Sequence, residues 1–403
     1  MELKVLEAYI KKKSRENHIS SIIRVDEKPT MEEGENYLSL IMRYRLEIVR
    51  SSGEKSVKYI IIKMQPPSET KTNFSKEVSL FINEIKMYSI VLKSMKTLME
   101  EFEDRRETLW CEMIAYTPYD MIALDDLKDQ NFVIINRSET LDFDHSMLVM
   151  RTLGRYHAMS KILLKRSVIY PYDFPSFIFC RPLLVNICFI SSLTVLEEAV
   201  KRSWGAKWSH LPEILRKVKS QIHEKIAKLS PIDKTRFNVL NHGDCWKNNM
   251  LFKHIEGTKI PCAIKYIDFQ LSHYNSFAWD LTYFLYNCTR PDIRRAKFKE
   301  LLTAYHQSLV YNLKYFNYAE DNGIPTFDQI LAEMERLEIF GFLLLTSVHA
   351  MTTADTAETV DLEKMLKNLD NPFVGLNIDI FSRPKYRESI EDDIHNFIKN
   401  GII

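Results

Sequence analysis

The chain has 403 residues, of which 45% are hydrophobic and 27% charged, and its formal net charge is +1. This composition is that of a globular protein with a large core, and the near-neutral charge argues against a dominant role in binding nucleic acid or a membrane surface. Glu2, Lys4 and Glu7 interrupt any apolar stretch at the N-terminus, so no signal peptide is expected.

The N-terminal part contains the patterns of two strand pairs with a helix between them. Residues 36–49 and 57–65 are rich in alternating or β-branched residues, and the turn-forming sequence SSGEKS separates them. Apolar residues then recur at helical spacing from Asn73 to about Glu103, which predicts one long helix. A second pair of strands is predicted within residues 108–127, so the predicted order is β-β-α-β-β.

The rest of the chain is predicted to be mostly helical. Residues 141–164 have helical periodicity, with Asp142 or Asp144 as the candidate N-cap. Residues 211–229 form a second predicted helix, and nearly all of the chain from Ala278 onward has the same character.

Two features complete the predicted architecture. Short strands are predicted around residues 239–252 and 260–270. The apolar run at 339–345 is far shorter than the roughly 18 residues needed to span a bilayer, so it predicts a buried helix and no membrane span. The fold is therefore predicted as α+β, with a small β-rich N-lobe at 1–125 and a larger α-helical C-lobe at 126–403.

The most unusual stretch is VLNHGDCWKNNMLF, residues 239–252, in which polar groups lie between two apolar runs. Asp244 and Asn249 within it have the spacing D-x-x-x-x-N. Phosphoryl transfer needs a carboxylate near the attacking hydroxyl and an amide oxygen that can hold a magnesium ion. The stretch therefore predicts a site for this chemistry, and we expect His242 to brace its loop by hydrogen bonding rather than to transfer protons.

A second carboxylate is predicted to reach the same place. Asp268 ends the apolar strand of IPCAIKYIDFQ, and the preceding HIEGTK has the composition of a turn. A hairpin of the two strands would bring Asp268 back beside Asn249. Both residues offer hard oxygen atoms, which suit Mg²⁺ when nucleotide phosphates complete its coordination.

A nucleotide site also needs a cation for the phosphates, and Lys63 ends the otherwise apolar strand in YIIIKMQ. Glu84 on the predicted long helix is its expected partner, and Glu77 is the alternative. The sequence has no G-x-G-x-x-G and no G-x-x-x-x-G-K-[ST] loop. Instead, GENYLS precedes the first predicted strand, where Asn36 and Ser39 would help to cover the phosphates.

Seven blocks of the sequence occur in an order that resembles the ecdysteroid kinase-like family, also called the CHK kinase-like family. They are GENYLSLIMRYRLEI, IIIKMQPP, LFINEIKMY, IALDDLKDQNF, LVMRTLGRYHAMS, VLNHGDCWKNNMLF and YIDFQLSHYNSFAWDLTYFL. The resemblance runs from about residue 30 to 360, and H-G-D-x-W-x-x-N-x-x-F is a quite specific part of it.

The resemblance implies a two-lobed protein-kinase-like fold, as in the superfamily of choline and aminoglycoside kinases, with ATP and Mg²⁺ as cofactors. It implies that Asp244 is the catalytic base and that Asn249 and Asp268 are the magnesium ligands. Asp280, in WDLTYF, corresponds to a structural aspartate that steadies the catalytic loop.

The resemblance also implies how the nucleotide is held. Lys63 would bind the ATP phosphates with Glu84 as its partner. The backbone from Ala123 to Leu127, which includes Asp125, would be the hinge that faces adenine.

The resemblance implies that the acceptor is a lipophilic alcohol, an ecdysteroid or another steroid, and its pocket is predicted between the catalytic loop and residues 165–235. That segment is rich in aromatic residues, namely Tyr170, Tyr172, Phe174, Phe177, Phe179, Trp204 and Trp208. As a set beside prolines and loops, they indicate an apolar pocket. The bulky SHYNSFAW, with Tyr274 and Trp279, departs from the family pattern and is expected to alter the substrate side.

A protein kinase is disfavoured, and two other functions remain alternatives. Gly243 replaces the arginine of H-R-D, Gln270 replaces the glycine of D-F-G, and only 12 residues separate Asp268 from Asp280. The alternatives are a choline- or aminoglycoside-type kinase that acts on a polar amino alcohol, and a catalytically inactive carrier of a lipophilic hormone. The six cysteines include no C-x-x-C pair, which indicates reduced thiols and a cytoplasmic protein. No nucleic-acid partner is expected, because the net charge is only +1.

Overall fold

A computed structural model describes residues 19–29, 38–136, 139–175, 177–319, 323–354 and 360–403. It has a β-rich N-terminal region and a C-terminal region made mostly of helices, as the sequence predicts for an α+β protein. Asn36, one of the residues expected to cover the phosphates, lies outside the described residues.

The N-terminal region is built on an antiparallel five-stranded sheet with the order β1-β2-β3-β5-β4. Its strands are β1 (Ile19–Pro29), β2 (Leu40–Arg50), β3 (Lys55–Met64), β4 (Met113–Thr117) and β5 (Met121–Asp125). The edge strand β1 was not predicted, because its sequence ISSIIRVDEKP has no regular alternation of apolar and polar residues. Alternate residues such as Leu46, Ile48, Ile60 and Ile62 are buried on one face, which is the period expected of strands.

The prediction of one long helix between β3 and β4 is wrong. The segment consists of α1 (Glu69–Glu77), α2 (Leu80–Lys86), a π-helical turn at Met87–Leu92 and α3 (Lys93–Glu101). Ser79 has a φ of 59°, in the left-handed region, and a residue there interrupts a right-handed helix. The break separates α1 from α2, and each helix has buried apolar residues, such as Phe74 on α1 and Phe81 on α2.

Two small sheets lie in the C-terminal region, with the orders β6-β8-β9 and β10-β7. Their strands are β6 (Val133–Ile134), β7 (Asn238–Asn241), β8 (Met250–His254), β9 (Pro261–Tyr266) and β10 (His273–Ser276). The strands predicted around the D-x-x-x-x-N stretch are therefore present, and β8 pairs with β9 in the predicted hairpin.

Helices make up most of the remaining C-terminal region. In chain order they are α4 (Phe143–Lys165), α5 (Pro182–Leu184), α6 (Ser191–Ala199), α7 (Leu211–Leu229), α8 (Ala278–Asn287), α9 (Pro291–Tyr315), α10 (Phe327–Arg336), α11 (Glu338–Leu345), α12 (Val348–Thr352), α13 (Leu362–Lys367), α14 (Asp379–Ser382) and α15 (Pro384–Lys399). Asp142, and not Asp144, caps α4 by accepting a hydrogen bond from the His145 amide. The apolar run in α11 is buried, as predicted.

One helical stretch, Pro182–Trp204, is long and apolar enough to cross a membrane by length and composition. It has a mean hydropathy of 1.7, but 67% of its most apolar window is buried inside the protein, as in the core helix of a soluble protein. Trp204 at its end is 3% exposed, and its indole nitrogen donates to the Phe381 carbonyl at 2.9 Å. The stretch therefore packs as part of the C-terminal core.

Helix α4 connects this core to the candidate site. It packs along α9, and a Cβ atom on Gly154 would lie 2.7 Å from the Tyr305 carbonyl oxygen, so the two helices approach too closely for a larger residue. One turn away, His157 contacts the Tyr305 hydroxyl at 2.9 Å and the Asp280 carboxylate at 3.1 Å. The α4–α9 pair thus supports the loop that carries the candidate catalytic residues.

Candidate active site

The β8–β9 hairpin brings Asn249 and Asp268 together, as predicted. Met250 pairs with Tyr266 at its base, and the Ile267 amide donates to the Asn249 carbonyl at 3.0 Å. Asp268 then adopts a φ of 65°, in the left-handed region. Such a conformation is rare for a residue other than glycine and concentrates at functional sites.

Lys63 lies at the centre of a buried charge cluster. Its Nζ atom lies 2.6 Å from Glu84 Oε2, 2.5 Å from Asp268 Oδ1 and 3.3 Å from Gln270 Oε1. Burial alone would lower the pKa of Lys63, but the charges of Asp268 and Glu84 outweigh it and raise the pKa above its ordinary value. Lys63 therefore stays a cation that is surrounded by carboxylates.

The structure selects Glu84 as the partner of Lys63. Glu84 is 1% exposed, whereas Glu77, the alternative, is exposed at the end of α1. Burial raises the pKa of the Glu84 carboxyl to about 7, although the Lys63 charge works in the opposite direction. The break at Ser79 separates the two glutamates onto different helices, so sequence spacing alone did not distinguish them.

Asp244 faces the same cavity, and both of its carboxylate oxygens are engaged. Oδ1 accepts a hydrogen bond from the Tyr283 hydroxyl at 2.9 Å, and Oδ2 accepts one from Asn249 Nδ2 at 2.9 Å. Removal from bulk water, followed by the charge of Asp268, raises the pKa of Asp244 to about 7. A carboxylate whose pKa is close to neutral pH is well matched to accepting a hydroxyl proton.

Asp280 holds the loop that precedes Asp244. It accepts the backbone amides of His242 at 2.7 Å and Gly243 at 2.8 Å, in addition to the contact with His157. Burial would raise the pKa of Asp280, but the bond from His157 and the nearby positive and dipolar groups outweigh it and lower the pKa. Asp280 therefore stays ionised inside the core.

His242 and Gly243 shape the turn. His242 Nε2 lies 3.0 Å from the Ile267 carbonyl, and its Nδ1 accepts the Asp244 amide at 3.3 Å, so its ring links the two segments that carry the carboxylates. Gly243 has a φ of 85°, and a Cβ atom there would lie 2.0 Å from the Leu271 carbonyl oxygen. Only glycine fits this position.

Three polar residues at the site were not singled out by sequence reasoning, namely Asn83, Gln270 and Tyr283. Asn83 Nδ2 donates to the carbonyls of Gln270 at 2.8 Å and Ser272 at 2.9 Å, which ties α2 to the D-F-Q segment. Gln270 Nε2 also contacts Asp268 Oδ2 at 3.3 Å. In the sequence, Gln270 is distinguished only as a departure from D-F-G, and no local pattern marks Asn83 or Tyr283.

One cavity of about 360 Å³ contains these groups and extends from the N-terminal sheet into the C-terminal helices. Ser39, Lys63, Asp125 and Leu127 line the part under the sheet, which includes the expected hinge. Asp244, Asn249 and Asp268 line it as well. Around this cavity the structure places the predicted phosphate residues within its described range and, of the predicted hinge, residues Leu124 to Leu127.

The other part of the cavity is apolar and is lined by residues of the catalytic loop and of segment 165–235, where the acceptor pocket is predicted, but most of the aromatic residues named for it do not line it. Its lining includes Phe179, Leu184, Ile187 and Cys188. Of the seven aromatic residues predicted to line the acceptor pocket, only Phe179 is among the described lining residues. Trp204 and Trp208 pack against each other in the core with their ring centroids 5.6 Å apart. These two tryptophans are buried and do not line the cavity, so they contribute to packing.

Other aromatic residues also lie elsewhere. The rings of Tyr170 and Tyr172 stack on each other, and Tyr172 is 80% exposed. Trp279 is 1% exposed and packs on Phe177, while Tyr274 lies in β10. Neither Tyr274 nor Trp279 lines the cavity, so the bulky SHYNSFAW segment does not form the substrate wall.

The donor set around Asp268 fits a magnesium ion. Asp268 offers a carboxylate that is 25% exposed toward the cavity. Asn249 uses its amide nitrogen for both contacts with Asp244, which leaves the amide oxygen as the atom available to a cation. No group of three or more His, Cys, Asp and Glu residues suited to a metal occurs in the described chain. Mg²⁺ often takes one or two protein ligands and completes its shell with phosphates and water, which matches the two oxygen donors of Asp268 and Asn249.

The family profile that matches the chain is that of the ecdysteroid kinase-like family, over residues 33–318. The chain belongs to this family. No curated protein matches the chain. Similar solved structures include the GDP complex of wild-type aminoglycoside 2'-phosphotransferase-IIIa, with 13% identity, 96% of this chain and 98% of that chain covered, and a TM-score of 0.41. The GDP complex of a point mutant of that enzyme is similar too, with 12% identity, 97% of each chain covered and a TM-score of 0.44.

For this ecdysteroid kinase-like protein, we expect Asp280→Asn to lower both stability and turnover. The amide keeps one acceptor oxygen but turns an NH₂ group toward a buried backbone donor, which costs about 1–3 kcal/mol of the free energy of unfolding. Denaturant unfolding measures the loss, and Asp370→Asn at an exposed position is the matched control. Equal stability of the two variants would contradict the bracing role of Asp280.

The activity of the protein should fall as the pH falls below about 7, the pKa of Asp244. A protonated Asp244 cannot accept the acceptor's proton, so the acid limb of kcat/KM should lie near this pH. The same shift should make the free energy of unfolding fall as the pH rises from the ordinary pKa of 3.8 to about 7, because the folded state keeps a proton that the unfolded chain releases.

Magnesium offers a check on this pH dependence. A cation at Asp268 offsets the charge that helps to raise the pKa of Asp244, so saturating magnesium should move the acid limb to lower pH. The measurement is a pH profile at two magnesium concentrations. An acid limb already near pH 4 in low magnesium would show that the pKa of Asp244 is not raised in the working protein.

Proposed function

We propose that the protein is an ATP- and Mg²⁺-dependent kinase that transfers the γ-phosphate to a hydroxyl group of a lipophilic alcohol, an ecdysteroid or another steroid. The observation that carries this proposal is the juxtaposition of the Lys63–Glu84–Asp268 cluster and the Asp244–Asn249 pair in one cavity. Family membership supports the same chemistry. Buried carboxylates are costly, and a phosphate site explains why they are grouped.

In the proposed reaction, Asp244 accepts the proton of the acceptor hydroxyl while that oxygen attacks the γ-phosphate. Lys63 binds the nucleotide phosphates, and Glu84 keeps its ammonium group in position. Asn249 and Asp268 would hold the magnesium ion, which would neutralise charge on the phosphates when bound. Asp280 and His242 keep the loop in the geometry that aims Asp244 into the cavity.

The nucleotide is proposed to bind beneath the N-terminal sheet. Asp125 ends β5, and the backbone from Ala123 to Leu127 is proposed as the hinge for adenine, which is supported by the presence of Leu124, Asp125 and Leu127 in the cavity lining. Ser39 lines the same part of the cavity and is proposed to help to cover the phosphates, together with Asn36. The end of β5 also supports a lobe boundary near residue 125.

The lining of the remaining cavity supports a lipophilic acceptor. Leu184, Ile187, Val348 and Met351 contribute apolar side chains there. Burial of apolar surface supplies about 25 cal/mol per Å² without charged contacts, which suits a steroid-sized ligand. A choline-like acceptor would instead need an aromatic cage with nearby carboxylates. The aromatic residues in the described lining of the cavity are Phe74, Phe179, Trp246 and Tyr283, so the acceptor screen below includes choline.

The cellular location is proposed to be the cytoplasm. All six cysteines are free, and the buried ones have no disulfide partner. Burial raises the pKa of Cys288 and Cys188 to about 12, so these thiols are unreactive. Such cysteines suit a reducing compartment.

The proposal is tested by incubation with ATP labelled on the γ-phosphate and a panel of steroid, terpenoid and amino-alcohol acceptors. We expect a labelled phosphate monoester of at least one steroid or terpenoid alcohol, formed only with magnesium. Phosphorylation of choline, ethanolamine or an aminoglycoside, with none of any lipophilic alcohol, would overturn the acceptor class. Binding of steroids without any transfer would favour the inactive carrier.

A further inference from the structure

The C-terminal segment Val360–Leu376, here called the closing segment, forms a compact loop over one side of the cavity. Its two ends pair with each other as an isolated antiparallel bridge between Val360 and Leu376. The Asp361 amide donates to the Gly375 carbonyl at 2.7 Å. Helix α13 lies between these ends, so the segment is tied at its base and presents one helix to the cavity.

The inner face of the closing segment is apolar and lines the cavity. Val360, Leu362 and Met365 all contribute to the lining, and Met365 is 5% exposed. Phe74, on α1 of the N-terminal region, lines the cavity as well. Apolar side chains from both regions therefore line the same cavity as Asp244.

The outer contacts of the closing segment with the N-terminal region are polar. α13 packs against α1, and the Glu363 carboxylate accepts a hydrogen bond from the Ser68 side chain at the start of α1. The ammonium charge of Lys71 also acts on Asp361 and Glu363. These exposed contacts are weak and easily exchanged with water, so the apolar face supplies the more durable part of the enclosure.

We propose that the closing segment is the wall that excludes water from the phosphoryl-transfer site and sets the size of the acceptor. The inference rests on the proposed function. Water is a competing acceptor in any kinase, since its attack on the γ-phosphate breaks the same bond and yields ADP and phosphate. A site closed by an apolar wall suppresses this reaction. Met365 and Leu362 then determine which apolar acceptors fit, while the polar groups around Lys63 remain unchanged.

Gly375 provides a way to displace the wall without altering the phosphate machinery. It has a φ of 95°, and a Cβ atom there would lie 2.6 Å from the Asp361 carbonyl oxygen and 2.7 Å from Met365 Cγ. Gly375→Ala must therefore shift the base of the segment. Met365→Ala shortens the inner face directly and serves as a second variant if the first folds poorly. Leu369→Ala is the matched control, because Leu369 belongs to the same segment but is 50% exposed.

Each variant is tested in the full chain with two measurements. The first is ATP hydrolysis with magnesium and no added alcohol, and the second is binding of Nile red, an uncharged apolar dye. We expect Gly375→Ala and Met365→Ala to raise hydrolysis several-fold and to weaken dye binding about tenfold, the effect of losing apolar contacts in a pocket. Leu369→Ala should match the wild type in both. Melting temperatures identify any variant that is unfolded.

The outcomes separate this inference from the proposed function. Normal hydrolysis and normal dye binding in both folded wall variants would overturn the closing role. If the wild type and all variants neither hydrolyse ATP nor transfer phosphate, the proposed function fails, whereas weaker dye binding in the wall variants alone would still support the enclosure. Equal changes in Leu369→Ala would also overturn the inference, since an exposed side chain on the segment cannot form the wall.

Discussion

Replacing Asp244 with asparagine should abolish phosphoryl transfer while leaving nucleotide binding nearly intact. The substitution keeps the shape of the side chain, and its amide can still accept from Asn249 and donate to the Tyr283 hydroxyl. It cannot accept a proton from an alcohol, and losing a general base costs about 100-fold or more in rate. The structure supports the expectation, because Asp244 has a pKa of about 7 and faces the cavity that contains Lys63 and Asp268.

Two comparisons make the Asp244→Asn result interpretable. Turnover and ATP affinity are measured separately with a saturating acceptor, and unchanged melting temperature shows that the loop remains folded. Tyr283→Phe removes the hydrogen bond at 2.9 Å but leaves the carboxylate, so it should lose far less activity. Asp244→Asn turnover within a few-fold of the wild type would exclude Asp244 as the base.

Asp268→Ala should remove most of the magnesium dependence of nucleotide binding. Asp268 offers the exposed carboxylate of the site, and its loss leaves phosphate charge uncompensated. Lys63 keeps Glu84 as a partner at 2.6 Å, so the cluster does not lose its cation. A hydrogen bond or ligand contact to a charged group contributes about 1.5–3 kcal/mol, which corresponds to a loss of affinity of roughly tenfold or more with magnesium present.

The measurement is titration of the protein with ATP in the presence and in the absence of magnesium. Wild type should bind much more tightly with the ion, and Asp268→Ala should bind similarly in both conditions. Asp268→Asn keeps an oxygen ligand without the charge and should fall between the two. If Asp268→Ala retains the wild-type magnesium dependence, Asp268 serves only the structure and the metal site lies elsewhere.

Much of the candidate site follows from short-range features of the chain. The turn-forming HIEGTK between two apolar runs predicts a hairpin, and a hairpin of that length must return Asp268 to Asn249. Lys63 ends an otherwise apolar strand, so its side chain was expected to lie next to buried residues. A charged group in such a position needs an oppositely charged partner. Alternation and helical periodicity likewise predicted four of the five strands of the N-terminal sheet and the helix bounds around α4 and α7.

Other features depended on contacts between distant parts of the chain. The choice of Glu84 over Glu77 depends on the break at Ser79, and the contact of Tyr283 with Asp244 joins residues on different elements. The aromatic segment 165–235 was expected to line the acceptor pocket, yet its tryptophans belong to the core.

Hydrophobic periodicity predicts which face of a helix or strand is buried. The spacing of polar residues predicts which polar side chains a turn brings together. These local patterns were enough to predict the two-region α+β fold and the β8–β9 hairpin. They were also enough to single out Lys63, Asp244, Asn249 and Asp268 as candidate site residues. Whether a buried aromatic ring meets a cavity or another helix is decided by three-dimensional packing, since both environments are equally apolar. The tertiary structure therefore decided the cavity wall, which includes Phe179 from the predicted aromatic set and Met365, which was not predicted, but neither Trp204 nor Trp208.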